Sequence, residues 1–449
     1  MGTRLAPGPR GLAFLRAAAQ FYRDPLGAFD DLFRRYGDVV CLKGGPYCVT
    51  VLAQPEHVKY VLQDHSQNYH VLSRLDPPSP VTGRGLTNAN GEAWLRQRRL
   101  MQPAFHRQAV VGFAETMVQL TNAMLQNWRG PAQRNAPVDI WADLLHLNHL
   151  FLGRALFDID LSGERAGALA DLNTVREYTL RREQALWALP ATWPTPAQRR
   201  FGRAAQNLKA LAASHIRAQR QHPNPNSILG QLVVARAESG VGMTDVQLHD
   251  EIMTLFFAAY EDPANAIAWA WHLLTQHSEA EEKLRAEVAR VLGQRPPTLQ
   301  DLPNLTYLTM VIEESLRLYP PTYSLLREAV ADDVIGDYTI PAGSWVALHT
   351  YSTHRLPQFW ENPEAFDPER FRPDRAALRP RFAYSPFGGG PRQCIGYALA
   401  MLEMQVMLAM TTQAYAFHPV SAQPVRIEAL GSLRPKGGLP MRLESLLEV

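Results

Sequence analysis

The chain has few cysteines, no long apolar run and no excess of charge of either sign, and each shortage excludes something. Its three cysteines, Cys41, Cys48 and Cys394, are spread over 449 residues. That number is too low and odd for a disulfide framework and fits a reducing compartment. No stretch reaches the roughly 18–20 uninterrupted apolar residues that a membrane helix needs. The formal net charge is +2, with 20% charged and 46% hydrophobic residues. Such a balance describes a globular protein and gives no sign of a nucleic-acid binder or a disordered tail. No linker or repeat divides the sequence, so one domain over 1–449 is expected, with 1–20 as a Pro-rich N-terminal segment.

What is present is mostly helical spacing. Helices are expected over 26–36, from Glu56, from Gly91, and over 108–128, 140–157, 166–187 and 197–221. Thr244, with Gln247 three residues on, opens a long apolar helix to about Gln276 as a capping box. Further helices are expected over 278–292, 307–319 and from Tyr397 to about Ala414. Strand signals are confined to small units: Val39–Leu42 and Cys48–Leu52 around a Gly-Gly-Pro turn, Val334–Ile340, Trp345–Leu348, and two or three terminal strands. The stretches 66–90 and 188–196 are rich in proline or glycine and read as loops, and loops of such length are often functional.

The densest signal is Phe387-Gly388-Gly389-Gly390-Pro391-Arg392-Gln393-Cys394-Ile395-Gly396. Three glycines let a backbone pass close to a flat object. Arg392 offers a fork suited to a carboxylate. Cys394 precedes a helix, where free N–H groups and the helix dipole are expected to favour a thiolate. A cysteine alone in a loop is most often an inert core residue; the whole pattern is far more specific. It resembles the haem-binding signature of the cytochrome P450 family, with every defining position present: Phe387, Gly390, Arg392, Cys394 and Gly396, and Gly388 beside them.

The resemblance covers roughly residues 20–445. It implies a mainly α fold, a helix-rich triangular prism with small β-sheets, with haem between the long central helix and the cysteine loop. Cys394 would be the axial iron ligand. The pair Trp94 and Arg98, four apart on one helix face, would contact a haem propionate, and Arg327 and Arg392 would neutralise the carboxylates with them. By spacing alone Arg98 reads as part of a solvated arginine run and Arg327 as a strand residue. Glu314 and Arg317, one helical turn apart, and Arg370 in Pro-Glu-Arg-Phe match the family's buried Glu–Arg–Arg network. That network is read as a structural brace, because a buried charge requires several partners.

The resemblance also implies a function: insertion of one oxygen atom from O2 into a hydrophobic small molecule. The cofactor would be haem b (iron protoporphyrin IX). No flavin or nicotinamide motif is apparent, so electrons from NAD(P)H would arrive through an acidic ferredoxin or flavodoxin with its reductase. A face with Arg96, Arg99, Arg379 and Arg381 would dock that partner. No nucleic acid and no membrane anchor are implied, and the expectation is a cytoplasmic monomer. Residues 66–88, 185–200, Phe256–Ala258 with Phe257, and Tyr323–Leu326 with Tyr323 and Leu325 would line the substrate pocket, the 188–196 loop acting as a lid.

One departure concerns the oxygen site, where the family usually reads Ala-Gly-x-Glu/Asp-Thr. Here Ala258-Ala259-Tyr260-Glu261-Asp262-Pro263 keeps the acid, replaces the threonine by Asp262 and follows it with proline. Inside a regular helix Pro263 would cost about 3 kcal/mol, so it would fix a helix distortion in place. Glu261 and Asp262 are read as sharing a proton and feeding the distal site. The rivals are an anchor for a cationic substrate group and a solvent-facing charge beside a kink. The same departure leaves open a peroxide-driven peroxygenase, an isomerase or dehydratase that never activates O2, and a haem sensor. A family branch that uses peroxide directly has arginine before the proline, and Asp262 has the opposite sign.

Overall fold

A computed structural model describes residues 4–44, 47–71, 81–161, 166–184, 193 and 195–446. Helices form most of it, and the strands collect in small sheets. The helix Asp262–Leu274 lies at the centre, buried from Pro263 through Trp271. Its sequence interleaves alanine with Ile267, Trp269 and Trp271, so neighbouring helices approach closely between the large side chains. Those neighbours are Ile140–Leu152, Thr306–Leu318 and Tyr397–Ala414. Each indole N–H has a partner, as burial requires: Trp269 donates to the Leu433 carbonyl and Trp271 to the Thr411 hydroxyl, both at 3.1 Å. Tyr397–Ala414 is apolar nearly all round, as a helix crossing a core should be.

The largest sheet has five strands in the order Val39–Gly44, Tyr47–Leu52, Trp345–Leu348, Leu325–Ala329, Tyr69–His70. Its first pair is the expected hairpin, with Cys41 opposite Thr50 and Lys43 opposite Cys48. Only the second and third strands run parallel. The strand Leu325–Ala329 carries Arg327 from this sheet towards the interior.

Several expectations change in detail. Leu12–Arg23 is a helix that begins within the expected Pro-rich N-terminal segment; the prolines stop at Pro9, and the alanines after it favour helix. Ile228–Val234 is a short helix capped by Ser227, which the spacing did not reveal. Val334–Ile340 is two strands, Asp333–Ile335 and Tyr338–Ile340, folded at Gly336 with φ +59°. The expected lid loop and the middle of the 66–90 loop fall largely on 185–192, 194 and 72–80, outside the described residues.

The main correction is that the long helix is two helices. Asp245–Ala258 opens with the Thr244–Gln247 capping box and stops, and Asp262–Leu274 begins after Ala259, Tyr260 and Glu261. Pro263 therefore occupies a first turn, where its missing N–H has no intrahelical partner to lose, and the interior-proline penalty does not arise. Among the carbonyls at the break, the helix Ile140–Leu152 satisfies two. Asn148 Nδ2 donates to the Ala259 oxygen at 2.9 Å and the Tyr260 oxygen at 2.7 Å. His149 Nε2 lies 3.1 Å from the same Tyr260 oxygen and donates to it. Burial pushes the His149 imidazole down to about 3, so it stays neutral.

Candidate active site

The cysteine loop is held from below and shaped by glycine. The Cys394 N–H donates to the Phe387 carbonyl at 3.0 Å, closing the loop, and the Phe387 ring packs edge-on to Tyr397. Gly390 has φ +64°, and a Cβ there would sit 1.9 Å from the Leu62 carbonyl oxygen, so no other residue fits. Gly388, at φ +68°, has Leu325 Cδ1 3.6 Å from its ideal Cβ, which puts Leu325 beside the loop.

Behind the loop lies the expected brace. Arg317 and Glu314 are fully inaccessible, with Arg317 Nε 2.7 Å and Nη2 2.8 Å from the two carboxylate oxygens. Arg370 Nε reaches Glu314 at 3.2 Å, and the Asp367 N–H adds a further bond at 2.9 Å. The remaining Arg317 hydrogens go to the carbonyls of His354, Pro363 and Ala365. His354 then links brace to loop. Its Nδ1 lies 3.2 Å from the Arg317 carbonyl and its Nε2 accepts from the Ser385 N–H at 2.9 Å, while the Ser385 carbonyl accepts from Gly388. Those partners require the neutral Nδ1–H form, and burial with the adjacent Arg317 charge pushes His354 down to about 3.

In front of the loop, three buried or half-buried guanidinium groups stand without a carboxylate among the described residues. Arg327 is 8% exposed, and its one bond among the described residues runs to the Leu326 carbonyl. Burial pushes it down to about 10. Arg392 donates to the Ala89 carbonyl and Asn90 Oδ1, lies 4.4 Å from the Trp94 ring centroid, and is pushed down to about 10 by burial and by Arg327. Arg98 is half-buried on the same helix face as Trp94 and makes no hydrogen bond or ion pair among the described residues. Buried cations ordinarily have counter-charges. Three together without one fit a ligand that brings two carboxylates, as haem does. The residues present therefore suit haem: Cys394 as sulfur donor, a backbone cradle at Gly388–Gly390, and Arg98, Arg327 and Arg392 for the propionates. His70, which also feels Arg392 and is lowered chiefly by burial, borders the same place. No pattern in the sequence points to it, because it is a lone histidine in a two-residue strand.

Cys394 is deep enough for burial to dominate its acidity, yet its side chain has accessible surface. Both hold for a residue lining an internal space, so the exposure is not contact with the outside. The expectation that the protein alone favours a thiolate is corrected here. Burial raises the thiol, and the Gly396 N–H and the Arg98 charge oppose that only in part.

The two acids at the helix break part company. Glu261 is 2% exposed and turned into a cluster on the far side, accepting from Arg176 and from the Ser432 hydroxyl, with Arg434 3.8 Å away. Arg176 also lies over the Tyr260 ring. No hydrogen bond joins Glu261 to Asp262, so the shared-proton arrangement is absent. Asp262 has no hydrogen bond or ion pair among the described residues, and Cys394 feels its charge. Burial, then the neighbouring Glu261 charge, pushes Asp262 up to about 7. Nothing in the sequence singled out Arg176 or Ser432; the ion pair spans 85 residues and the hydrogen bond 171.

Other expected residues are less closely joined to this place. Phe257 packs against the main core, and the Tyr323 ring lies edge-on to His349. Of the docking arginines, Arg96 donates to the Gly242 carbonyl, and Arg379 donates to the Arg370 carbonyl and stacks on Trp360. Arg99 and Arg381 remain exposed. A groove of about 600 Å³ beside Arg99, Pro103, Gln231 and Arg236 contains none of the site residues. No described helix is long and apolar enough to cross a membrane.

Comparison with known proteins agrees with this geometry. A family model described as Cytochrome P450 matches residues 6–440. Cyclooctatin synthase of Streptomyces melanosporofaciens is 34% identical over 430 residues, covering 94% of this chain and 91% of its own. Cyclooctat-9-en-7-ol 5-monooxygenase of the same organism is 32% identical over 425 residues, covering 93% and 90%. The solved structure of retinoic acid-bound cyanobacterial CYP120A1 superposes with a TM-score of 0.87 at 26% identity, over 99% of each chain. The matched span holds the Cys394 loop, the Glu314 brace and Arg98, Arg327 and Arg392, and the chain belongs to the cytochrome P450 family of haem monooxygenases.

Proposed function

We propose that the chain binds haem b through Cys394 and uses O2, with electrons from NAD(P)H passed on by an acidic ferredoxin or flavodoxin, to oxygenate an unsaturated hydrocarbon-rich small molecule. When bound, a thiolate-ligated haem supplies reductive activation of dioxygen and oxygen insertion. Arg98, Arg327 and Arg392 hold its carboxylates, and the Glu314 brace keeps the cysteine loop in position. The observation that carries the O2 reading is Asp262, a carboxyl with no hydrogen bond or ion pair among the described residues, electrically coupled to Cys394 and raised to about 7. Half protonated near that pH and mostly neutral below it, it can hold and donate a proton where the family places a threonine hydroxyl. Glu261, fixed by Arg176 and Ser432, keeps Asp262 raised and takes no part in delivery. The substrate class rests on the likeness to a monooxygenase named for cyclooctat-9-en-7-ol and to a structure bound to retinoic acid. Exposed Arg99 and Arg381 favour an acidic electron donor.

The test is reconstitution with a surrogate ferredoxin, its reductase, NADPH and 18O2 against a panel of terpenoid alcohols and polyenes. One labelled oxygen in the product, with NADPH consumed in step, is the expected result. Product formed only with added peroxide would replace this reading with a peroxygenase. No product under either condition, despite a thiolate-type CO spectrum lost in Cys394→Ser, would leave the non-oxygenating alternatives.

A further inference from the structure

The hairpin Val39–Gly44 and Tyr47–Leu52 carries both cysteines that haem chemistry does not use. Cys41 stands opposite Thr50 and Cys48 opposite Lys43, so the two cysteines are diagonal neighbours on one face of the sheet. Their sulfurs are 3.2 Å apart, and both are free thiols. A disulfide has its sulfurs at about 2.05 Å, so bond formation needs a closure of about an ångström.

The two thiols are unequal in a way that assigns roles. Cys41 is 3% exposed, and its hydrogen bond to Cys48 together with burial pushes its thiol far up. Cys48 is half-buried. The hydrogen bond from Cys41, helped by the Lys43 charge across the strand pair, draws it down to about 7 despite burial. A partly accessible thiolate beside a protonated thiol is the arrangement in which one sulfur attacks an oxidant and the other resolves the product.

We propose that Cys41 and Cys48 form a dithiol modification site that hydrogen peroxide converts to an intramolecular disulfide and that external thiols restore. The Cys48 thiolate attacks one peroxide oxygen; the O–O bond breaks, Cys48 becomes a sulfenic acid, and hydroxide leaves. Cys41 sulfur then attacks Cys48 sulfur. The S–O bond breaks, and the hydroxide departs as water with the Cys41 proton. In sum the two thiols give up two electrons and two protons, and the peroxide becomes two waters. The Cys41 N–H donates to the Pro7 carbonyl at 2.9 Å, so the bond would tighten the strand to which the N-terminal segment is attached.

The haem-loaded protein serves as it is: exposed to a modest excess of hydrogen peroxide, quenched in acid, unfolded, alkylated and weighed. Before alkylation its mass should fall by two hydrogen atoms, and the alkylatable thiols should drop from three to one. Trypsin cuts after Arg35, Lys43 and Lys59, so peptides 36–43 and 44–59 should appear joined and separate with dithiothreitol. Cys41→Ser and Cys48→Ser should each abolish the joined peptide. Three surviving thiols in the parent, Cys48 oxidised to sulfinic acid with Cys41 still free, a link to Cys394, or a link between two chains would each overturn the proposal. Because the readout is the unfolded chain, loss of haem to peroxide does not obscure it.

Discussion

Replacing Glu314 by glutamine tests the brace, because the change is nearly isosteric and alters only charge and donor pattern. In the parent, Glu314 accepts from Arg317 Nε and Nη2, from Arg370 Nε and from the Asp367 N–H, with no solvent access. Glutamine turns one acceptor oxygen into an NH2 facing guanidinium donors and leaves two buried cations without their counter-charge. Breaking a buried pair in this way costs about 3–5 kcal/mol. The unfolding entropy of about 2.1 cal/mol/K per residue, over 449 residues, spreads that cost thinly. The melting temperature should therefore fall by only about 3–5 °C, and the denaturant midpoint should fall with it. Glu177 provides the contrast. It pairs with Arg181 one turn away, but both side chains are more than half exposed, so Glu177→Gln should stay within about 0.5 kcal/mol of the parent. Equal midpoints for the two variants would refute the reasoning, since burial of the charge is the only difference it relies on.

Arg327→Leu should weaken haem retention about 10- to 100-fold in transfer to apomyoglobin, one charge-assisted bond being worth about 1.5–3 kcal/mol. The same change should stabilise the haem-free protein by removing a buried, unpaired cation; destabilisation of the haem-free form would contradict the propionate assignment. Asp262→Asn bears on pH: with a folded value raised to about 7, the folded state holds a proton that the unfolded state releases above its ordinary value near 3.8. Parent stability contributed by this group thus falls as pH rises from about 4 to 7 and is flat beyond. The Asn variant should accordingly gain on the parent across that window, and a difference independent of pH would remove the raised carboxyl. Glu251, whose Oε2 accepts from the Leu86 N–H at 2.8 Å beneath the loop 81–90, should on change to leucine speed amide exchange at Leu86 by tenfold or more, whereas glutamine should not.

Much of this was legible because local chemistry dictated it. The Cys394 loop is contiguous, the glycine spacing has one backbone solution, and the Thr244 cap and the hairpin at 39–52 use short-range rules. The brace was legible only through the family resemblance, which paired Glu314 and Arg317 with Arg370 in a second motif; the spacing of Glu314 and Arg317 alone reads as a surface ion pair. What could not be read is where side chains at a break point turn. Periodicity treats Glu261 and Asp262 as adjacent members of one helix, yet the interruption rotates one into the Arg176 cluster and leaves the other towards Cys394. Nor does a run of arginines tell of the carbonyls of Gly242 and Arg370, to which Arg96 and Arg379 donate. Composition likewise hid the helix Leu12–Arg23 behind the prolines that precede it.

The break itself accounts for the unusual Asp262-Pro263. A chain that stops at Ala258 and restarts at Asp262 must satisfy the carbonyls of Ala259 and Tyr260 from outside, and Asn148 with His149 do so. With those donors in place proline is tolerated at the restart, and its fixed φ favours the new first turn over a continuous helix. An acidic residue also suits that first turn, where the helix dipole favours negative charge. Burial and the fixed Glu261 charge act against ionisation at the same position, and they prevail, since Asp262 is raised to about 7 rather than lowered. The carboxyl is thus balanced between two protonation states near neutral pH, which is where a group that passes protons works best. In the proposed reading, a threonine at this place would relay a proton without holding one, whereas Asp262 would store it, its hold set chiefly by burial and then by Glu261.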